Sequence, residues 1–393
     1  MIRKTALYIL LISSFHLAYS QDNPVSDATY HFTLDHHKFN GPGADTLMTY
    51  IAKAQFFMIG EEHNMAELQK LTDAIIPLLK DKGYKNFALE IGNTASKKLI
   101  ALHRNNTPLM DFNSMYYKYL RGCPFGFFDG KEEEIFIKQA INNNFNIWGI
   151  DFENYNSSLF FLDELYDHSS KNEAIKKKYE IAYQFMIGEY AKDQKSKNYQ
   201  LCGNFLDSKE INAFINAVPV NSMTKTLIGN QLNSWKIYEQ EKKRNWYPRV
   251  LNMKNSFINY YQQQAKKEDL PKVFLKLGAV HTARGTSNSG FQEVGNTLYE
   301  MANINHTKSF SVISFARFRM DENGQITDLL EPEDEEILKY TNKNSWSLID
   351  LKKLEKDALM GKIKLSSGTL NYAKRYDMML IPPATKKMIP NYK

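Results

Sequence analysis

Apolar residues in the first half of the chain follow two alternating periods. Ala54–Gly60 (AQFFMIG), Asn86–Ile91 (NFALEI) and Asn146–Asp151 (NIWGID) are short continuous apolar runs of the length of buried strands. Between the first two, Met65, Leu68, Leu71, Ile75, Ile76 and Leu79 recur at helical spacing and predict a helix over 64–82. Pro77 falls inside that pattern, where it removes a backbone donor, and Gly83 closes it as a C-terminal cap. Residues 95–104 and 132–143 carry the same helical signal. Strands that alternate with helices need crossover connections. The pattern therefore predicts an α/β fold with a mostly parallel central sheet flanked by helices.

The pattern changes near residue 159. From there to residue 266 the chain is rich in Lys, Glu, Gln, Tyr and Asn, poor in β-branched residues, and helical in periodicity. It reads as a helical insertion or subdomain. The sheet pattern resumes with a strand at Lys272–Leu277 (KVFLKL), a helix over 291–302, and strands at Ser309–Phe318 and Tyr376–Ile381. Pro382 and Pro383 stop the last of these. The acidic run Glu331–Glu336 reads as a solvated loop.

Composition changes this picture little. Of 393 residues, 43% are hydrophobic and 24% charged, an ordinary globular balance. The net charge of +6 is spread thinly, without a dense Lys/Arg block, so nucleic acid is not an expected partner. The N-terminus adds more. Arg3 and Lys4 precede an apolar stretch, Ala6–Leu17, and the small residues Ala18 and Ser20 follow. This predicts a signal peptide over 1–20 and an exported, soluble domain over 21–393, periplasmic or extracellular. No later run approaches the roughly 18 apolar residues of a membrane span. Cys123 and Cys202 can pair in an exported protein or remain as buried thiols, and are too few for a thiolate zinc site.

Reactive side chains gather where the predicted strands end. The first strand runs into Gly60-Glu61-Glu62-His63, the second ends at Glu90, and the third ends at Asp151 with Glu153 close behind. The later strand KVFLKL runs into Gly278-Ala279-Val280-His281 and then Arg284. In a parallel sheet these ends share one edge, where ligands bind. Each glycine permits a sharp turn that brings its histidine back over that edge. The helix expected to start at Asn64 would aim its free N–H groups there and favour an anion. Glu67, one helical turn after His63, is placed to hold the imidazole in one tautomer. Structural readings compete: Glu90 in a salt bridge, Asp151 as a helix cap, Arg249 and Arg284 on the surface. No Gly-x-Ser-x-Gly elbow, phosphate-binding glycine loop or His-Glu-x-x-His helix is present.

These residues resemble a superfamily that groups the erythromycin esterase-like proteins, the ChaN-like haem-binding lipoproteins and the Tiki/TraB-type proteins, with the esterase branch nearest. Gly60, Glu61, His63 and Glu67 are similar to its first motif. Phe87-Ala88-Leu89-Glu90 and Gly149-Ile150-Asp151 are similar to its next two strand ends. Arg249 to Met253 resembles its Arg-x-x-x-Met segment, His281 its second histidine, and Gly295 to Leu298 its following helix. The closing strand, Tyr376 to Ile381, also resembles the family's. One residue, Glu62, separates Glu61 from His63, where the esterases usually have two.

The resemblance implies a hydrolase of ester or lactone bonds in a small-molecule substrate, with no required cofactor. His63 or His281 would take a proton from the attacking water. Glu61 and Glu90 would position and polarise the reacting groups. Asp151 would contact the substrate, and Arg249 or Arg284 would stabilise the anionic intermediate. Resemblance to the Tiki-type proteins implies instead a divalent metal held by His63, His281 and carboxylates, and acting on amide bonds. Resemblance to ChaN implies haem binding.

Overall fold

The structure, a computed structural model, describes residues 24–393 apart from Arg121. The predicted signal peptide over 1–20 lies outside these residues. The strands in chain order are β1 (Thr29–Asp35), β2 (Lys38–Asn40), β3 (Phe56–Glu61), β4 (Asn86–Gly92), β5 (Asn146–Asp151), β6 (Val273–Gly278), β7 (Ser309–Ser314), β8 (Phe318–Met320), β9 (Ile326–Asp328), β10 (Trp346–Asp350) and β11 (Met378–Ile381). Nine of them form one sheet in the order β2-β1-β10-β11-β7-β3-β6-β4-β5, and β8 and β9 form a separate hairpin. From β11 to β5 every neighbouring pair is parallel. β10, β1 and β2 extend the sheet antiparallel.

The apolar runs form the centre of the sheet because both of its faces are covered, so neither side needs polar residues. One face carries a ladder of aromatic rings across adjacent strands. Phe57 stacks on Phe274 at 5.1 Å and on Phe310 at 5.5 Å, and Phe274 stacks on Phe87 at 4.6 Å. This face shares an apolar cluster with Leu68, Leu71, Ile75 and Leu79 of the helix Ala66–Asp81. The opposite face (Phe56, Met58, Ala88, Trp148, Leu275) packs under Met253 and Phe257 of the helix Tyr247–Ala265 and Leu298 of the helix Val294–Ile304.

Between β5 and β6 the chain is helical, from Ser158–Asp167 through to Tyr247–Ala265. Its apolar residues Met186, Tyr190, Phe205 and Trp235 belong to the same cluster as Phe87 and Ile147 of the sheet. The segment thus continues the core. Trp235 and Tyr190 are buried in it, whereas Trp246 and Tyr247 are exposed. Cys123 and Cys202 are buried free thiols.

Three elements differ from the pattern-based expectation. The strand expected over Ser309–Phe318 divides into β7 and β8. The chain leaves the sheet after Ser314, and the backbone N–H of Ala316 then donates to Oε2 of Glu62. The helix after His63 starts at Ala66, because Asn64 turns the backbone through the left-handed region at φ 69°. The acidic stretch runs into a helical turn at Glu335–Leu338.

Candidate active site

The parallel register aligns the strand ends. Glu61 at the end of β3 pairs in register with Gly278 of β6 on one side and Ser314 of β7 on the other. The pairing of β4 with β5 slips between Leu89 and Gly92, so Glu90 lies in a register irregularity. Such irregularities re-aim side chains beside functional sites.

Two clusters of charge result. The first is built on Glu61, which is buried. Its Oε1 accepts from Nζ of Lys276 at 2.6 Å and lies 3.1 Å from Nδ1 of His63; its Oε2 accepts from Nε2 of Gln69 at 3.1 Å. Burial pushes the Glu61 carboxyl up, but the Lys276 ammonium and His63 outweigh it and hold it below its ordinary value. A carboxylate can only accept, so Nδ1 of His63 is the donor in this contact. The imidazole also stacks on Phe127 at 4.1 Å, and 30% of its side chain is exposed. Phe127 itself sits at φ 62°, an uncommon conformation for a bulky residue that marks functional sites.

The second cluster centres on Glu90. Its Oε1 accepts from Nη2 of Arg249 at 2.8 Å and lies 3.4 Å from Nε2 of His281; its Oε2 accepts from the backbone N–H of Gly278 at 2.5 Å. Nη2 of Arg249 also donates to Asp151 at 2.6 Å, and its guanidinium lies over the Phe152 ring. Nδ1 of His281 lies 3.0 Å from Oε2 of Glu293. Burial favours the neutral form of His281, but Glu90 and Glu293 on its two ring nitrogens outweigh it and raise its pKa to about 10. His281 is therefore an imidazolium at neutral pH. Glu90 is held well below the carboxylate range: burial opposes this, and His281 and Arg249 dominate.

Gly278 joins the clusters. A Cβ there would lie 2.9 Å from Nε2 of His63 and 3.2 Å from Oε2 of Glu90. The space beside this glycine is thus flanked by Nε2 of His63 and the Glu90 carboxylate. Two cavities lie nearby, one lined by His63 and the other by Glu90. One, of about 760 Å³, is lined by His63, Met65, Arg319, Met320 and the segment Thr385–Pro390. The other, of about 170 Å³, is lined by Glu90, Asp151, Glu241, Arg249, Phe127 and Phe152. His63, His281 and Arg249 are thus gathered around Glu90 and Gly278.

Glu61, His63, Glu90, Asp151, Arg249 and His281 are brought together. Arg284 is not: its guanidinium pairs with Asp377 at 2.8 Å, lies over Tyr299, and reaches the backbone oxygen of Arg375. Glu67 is not either. It pairs with Lys70 at 2.7 Å, and Glu61 takes the place expected for it at Nδ1 of His63. The left-handed turn at Asn64 is the reason, since it keeps His63 out of the helix and cancels the one-turn relation. Two of the helix N–H groups expected to favour an anion are also engaged. That of Ala66 donates to the Lys386 carbonyl and that of Glu67 to the Thr385 hydroxyl. Glu153 caps the helix Asn93–Arg104 through the N–H groups of Thr94 and Ala95. Lys276, Glu293, Glu241 and Phe127 belong to the site without having stood out in the sequence. A lysine inside the apolar run KVFLKL was the one available signal, because a buried charge needs a partner.

Among the described residues, no group of three or more His, Cys, Asp or Glu side chains is disposed to hold a metal ion. The guanidinium of Arg249 lies between Glu90 and Asp151, where a divalent cation would need those oxygens. The donor set therefore does not fit a metal.

No family model matches the sequence, and no curated protein matches it. Solved structures do. A point variant of the erythromycin esterase EreC, in its open conformation, aligns over 92% of this chain and 98% of its own, with TM-score 0.54 and 13% identity. The fold is similar to that of this erythromycin esterase. A Bacillus cereus protein aligns over 94% of this chain and 99% of its own at TM-score 0.49 and 13% identity, and the haem-binding ChaN of Campylobacter jejuni over 73% and 91% at 0.30 and 14%. The esterase-like fold covers the helical segment between β5 and β6 as well as the sheet. No helix of the described residues is long and apolar enough to cross a membrane.

Proposed function

We propose that this chain is a hydrolase of ester or lactone bonds in small molecules, working without a metal or other cofactor. The observation that carries the reading is the Glu61–His63 pair: a buried carboxylate holds Nδ1, Nε2 lies beside Gly278, and His63 lines a large cavity. In this reading His63 is the general base. It takes a proton from water as the oxygen adds to the carbonyl carbon, and Glu61 stabilises the imidazolium that forms. Of the two histidines it is the one suited to this, because His281 is already protonated. Arg249 and the His281 imidazolium supply positive charge to the oxyanion. Lys276 fixes Glu61 and with it the ring of His63. The esterase-like fold supports the reading at the level of architecture.

The test is hydrolysis of a panel of esters and lactones by residues 21–393. His63→Ala is expected to lose about 10²–10⁴-fold in rate, the usual worth of a general base. Full activity in that variant would overturn the assignment. We further propose that residues 1–20 direct export; N-terminal sequencing of the protein isolated from outside the cytoplasm should begin at Gln21.

A further inference from the structure

Three acids line the smaller cavity: Glu90, Asp151 and Glu241. Glu241 lies near the end of the helix Ser222–Lys242 and lines the cavity beside Glu90, Asp151 and Arg249. Its acidic neighbours are fully engaged. Both oxygens of Glu90 and of Asp151 are bonded, and Glu293 holds His281 with one oxygen and Ser289 with the other. Oε1 of Glu241, in contrast, is buried and has no hydrogen-bond partner. A buried carboxyl oxygen without a donor is costly when charged and far cheaper in the protonated form.

We propose that Glu241 is the catalytic acid of the reaction, giving its proton to the alkoxide that leaves. This rests on the hydrolase reading above. As the tetrahedral intermediate collapses, the bond from the carbonyl carbon to the alkoxy oxygen breaks. The electron pair goes to that oxygen, and the O–H of Glu241 transfers to it. The alcohol departs, the acid product remains, and Glu241 is left as a carboxylate. The proton that His63 took from water and the one that Glu241 gave up are restored by exchange with solvent. The net reaction is ester plus water to acid plus alcohol. Charged and titratable groups face Glu241 from each packed element: Arg249 from the helix Tyr247–Ala265, Asp151 at the end of β5, His281 after β6, Cys202 from the helix Leu201–Asp207, and Tyr238 on its own helix. Burial raises its pKa, Arg249 opposes the rise and Asp151 adds to it, with the outcome at about 7. An acid so poised can both give and regain a proton near neutral pH.

Two measurements test this, one of them independent of turnover. Infrared difference spectra of the whole protein between acidic and alkaline pH should contain a carboxyl band that titrates near pH 7 and is missing in Glu241→Gln. No such band, or its survival in the variant, overturns the proposal. The second compares wild type and Glu241→Gln on acetate esters of graded leaving-group basicity, from 4-nitrophenyl to alkyl alcohols. The variant should show a steeper dependence on leaving-group basicity, a loss of roughly 10²-fold or more on alkyl esters, and no decline in kcat/KM above pH 7. Glu241→Asp should retain the shallow dependence. An unchanged slope in Glu241→Gln overturns the role of Glu241 and leaves the hydrolase reading standing. A wild type inactive on every ester and lactone overturns the hydrolase reading, and the proposed acid with it.

Discussion

The buried lysine–glutamate contact shows how much one side chain can carry. Lys276 and Glu61 are each 3% exposed, and their 2.6 Å bond is shielded from water. Removing one partner would leave an uncompensated buried charge. Lys276→Met should therefore cost about 3–5 kcal/mol in urea unfolding, and Glu61→Gln in the same chain should recover part of it. His281 makes a different prediction. Its pKa in the folded protein, about 10, lies above its ordinary value, so folding binds a proton. The stability it contributes is complete below about pH 6.5 and fades as pH rises towards 10, by at most about 1.4 kcal/mol per pH unit. His281→Gln should be less stable at neutral pH, and the gap to wild type should narrow across that window. A gap that does not depend on pH would mean that His281 is neutral in the folded state.

At the scale of elements, the strand ends and the turns that follow them position the chemistry. Gly278 ends β6 where a methyl group would meet both His63 and Glu90. His63 is partly exposed and able to shift, so Gly278→Ala should fold but move the imidazole. A displacement of that kind costs on the order of 10²-fold in rate, to be measured as kcat/KM beside an unchanged circular-dichroism spectrum. Glu67 sits on the next element and predicts the opposite. Its bond is to Lys70 on the helix surface, so Glu67→Ala should change stability by no more than about 0.5 kcal/mol and leave the rate near wild type. A large loss of rate would restore its expected place beside His63.

Over the whole molecule, the proposed reaction centre draws its residues from the ends of four parallel strands, β3, β6, β4 and β5, and from the helices that follow β5. The helical segment between β5 and β6 contributes Glu241 and Arg249 from two different helices, so it completes the site as well as the core. Because Arg249 occupies the space between Glu90 and Asp151, activity should survive dialysis against a chelator. Loss on dialysis and recovery with a divalent ion would favour metal chemistry instead.

The fold class and most residues of the candidate site are legible in the sequence. Buried parallel strands must be continuous apolar runs, and a charged residue at the end of such a run has few places to go except the sheet edge. Glu61, His63, Glu90, Asp151 and His281 were legible for that reason. The antiparallel strands β1, β2 and β10 were not: β1 (TYHFTLD) mixes polar with apolar residues, β2 has three residues and β10 five, so none carries a long continuous apolar run. Which groups pair depends on the packing of distant segments. A left-handed turn at Asn64 took Glu67 away from His63, Asp377 took Arg284 out of the cluster, and the helices between β5 and β6 delivered Glu241 and Arg249 into it. Partners of this kind are set by distances between residues far apart along the chain, and local periodicity carries no record of them.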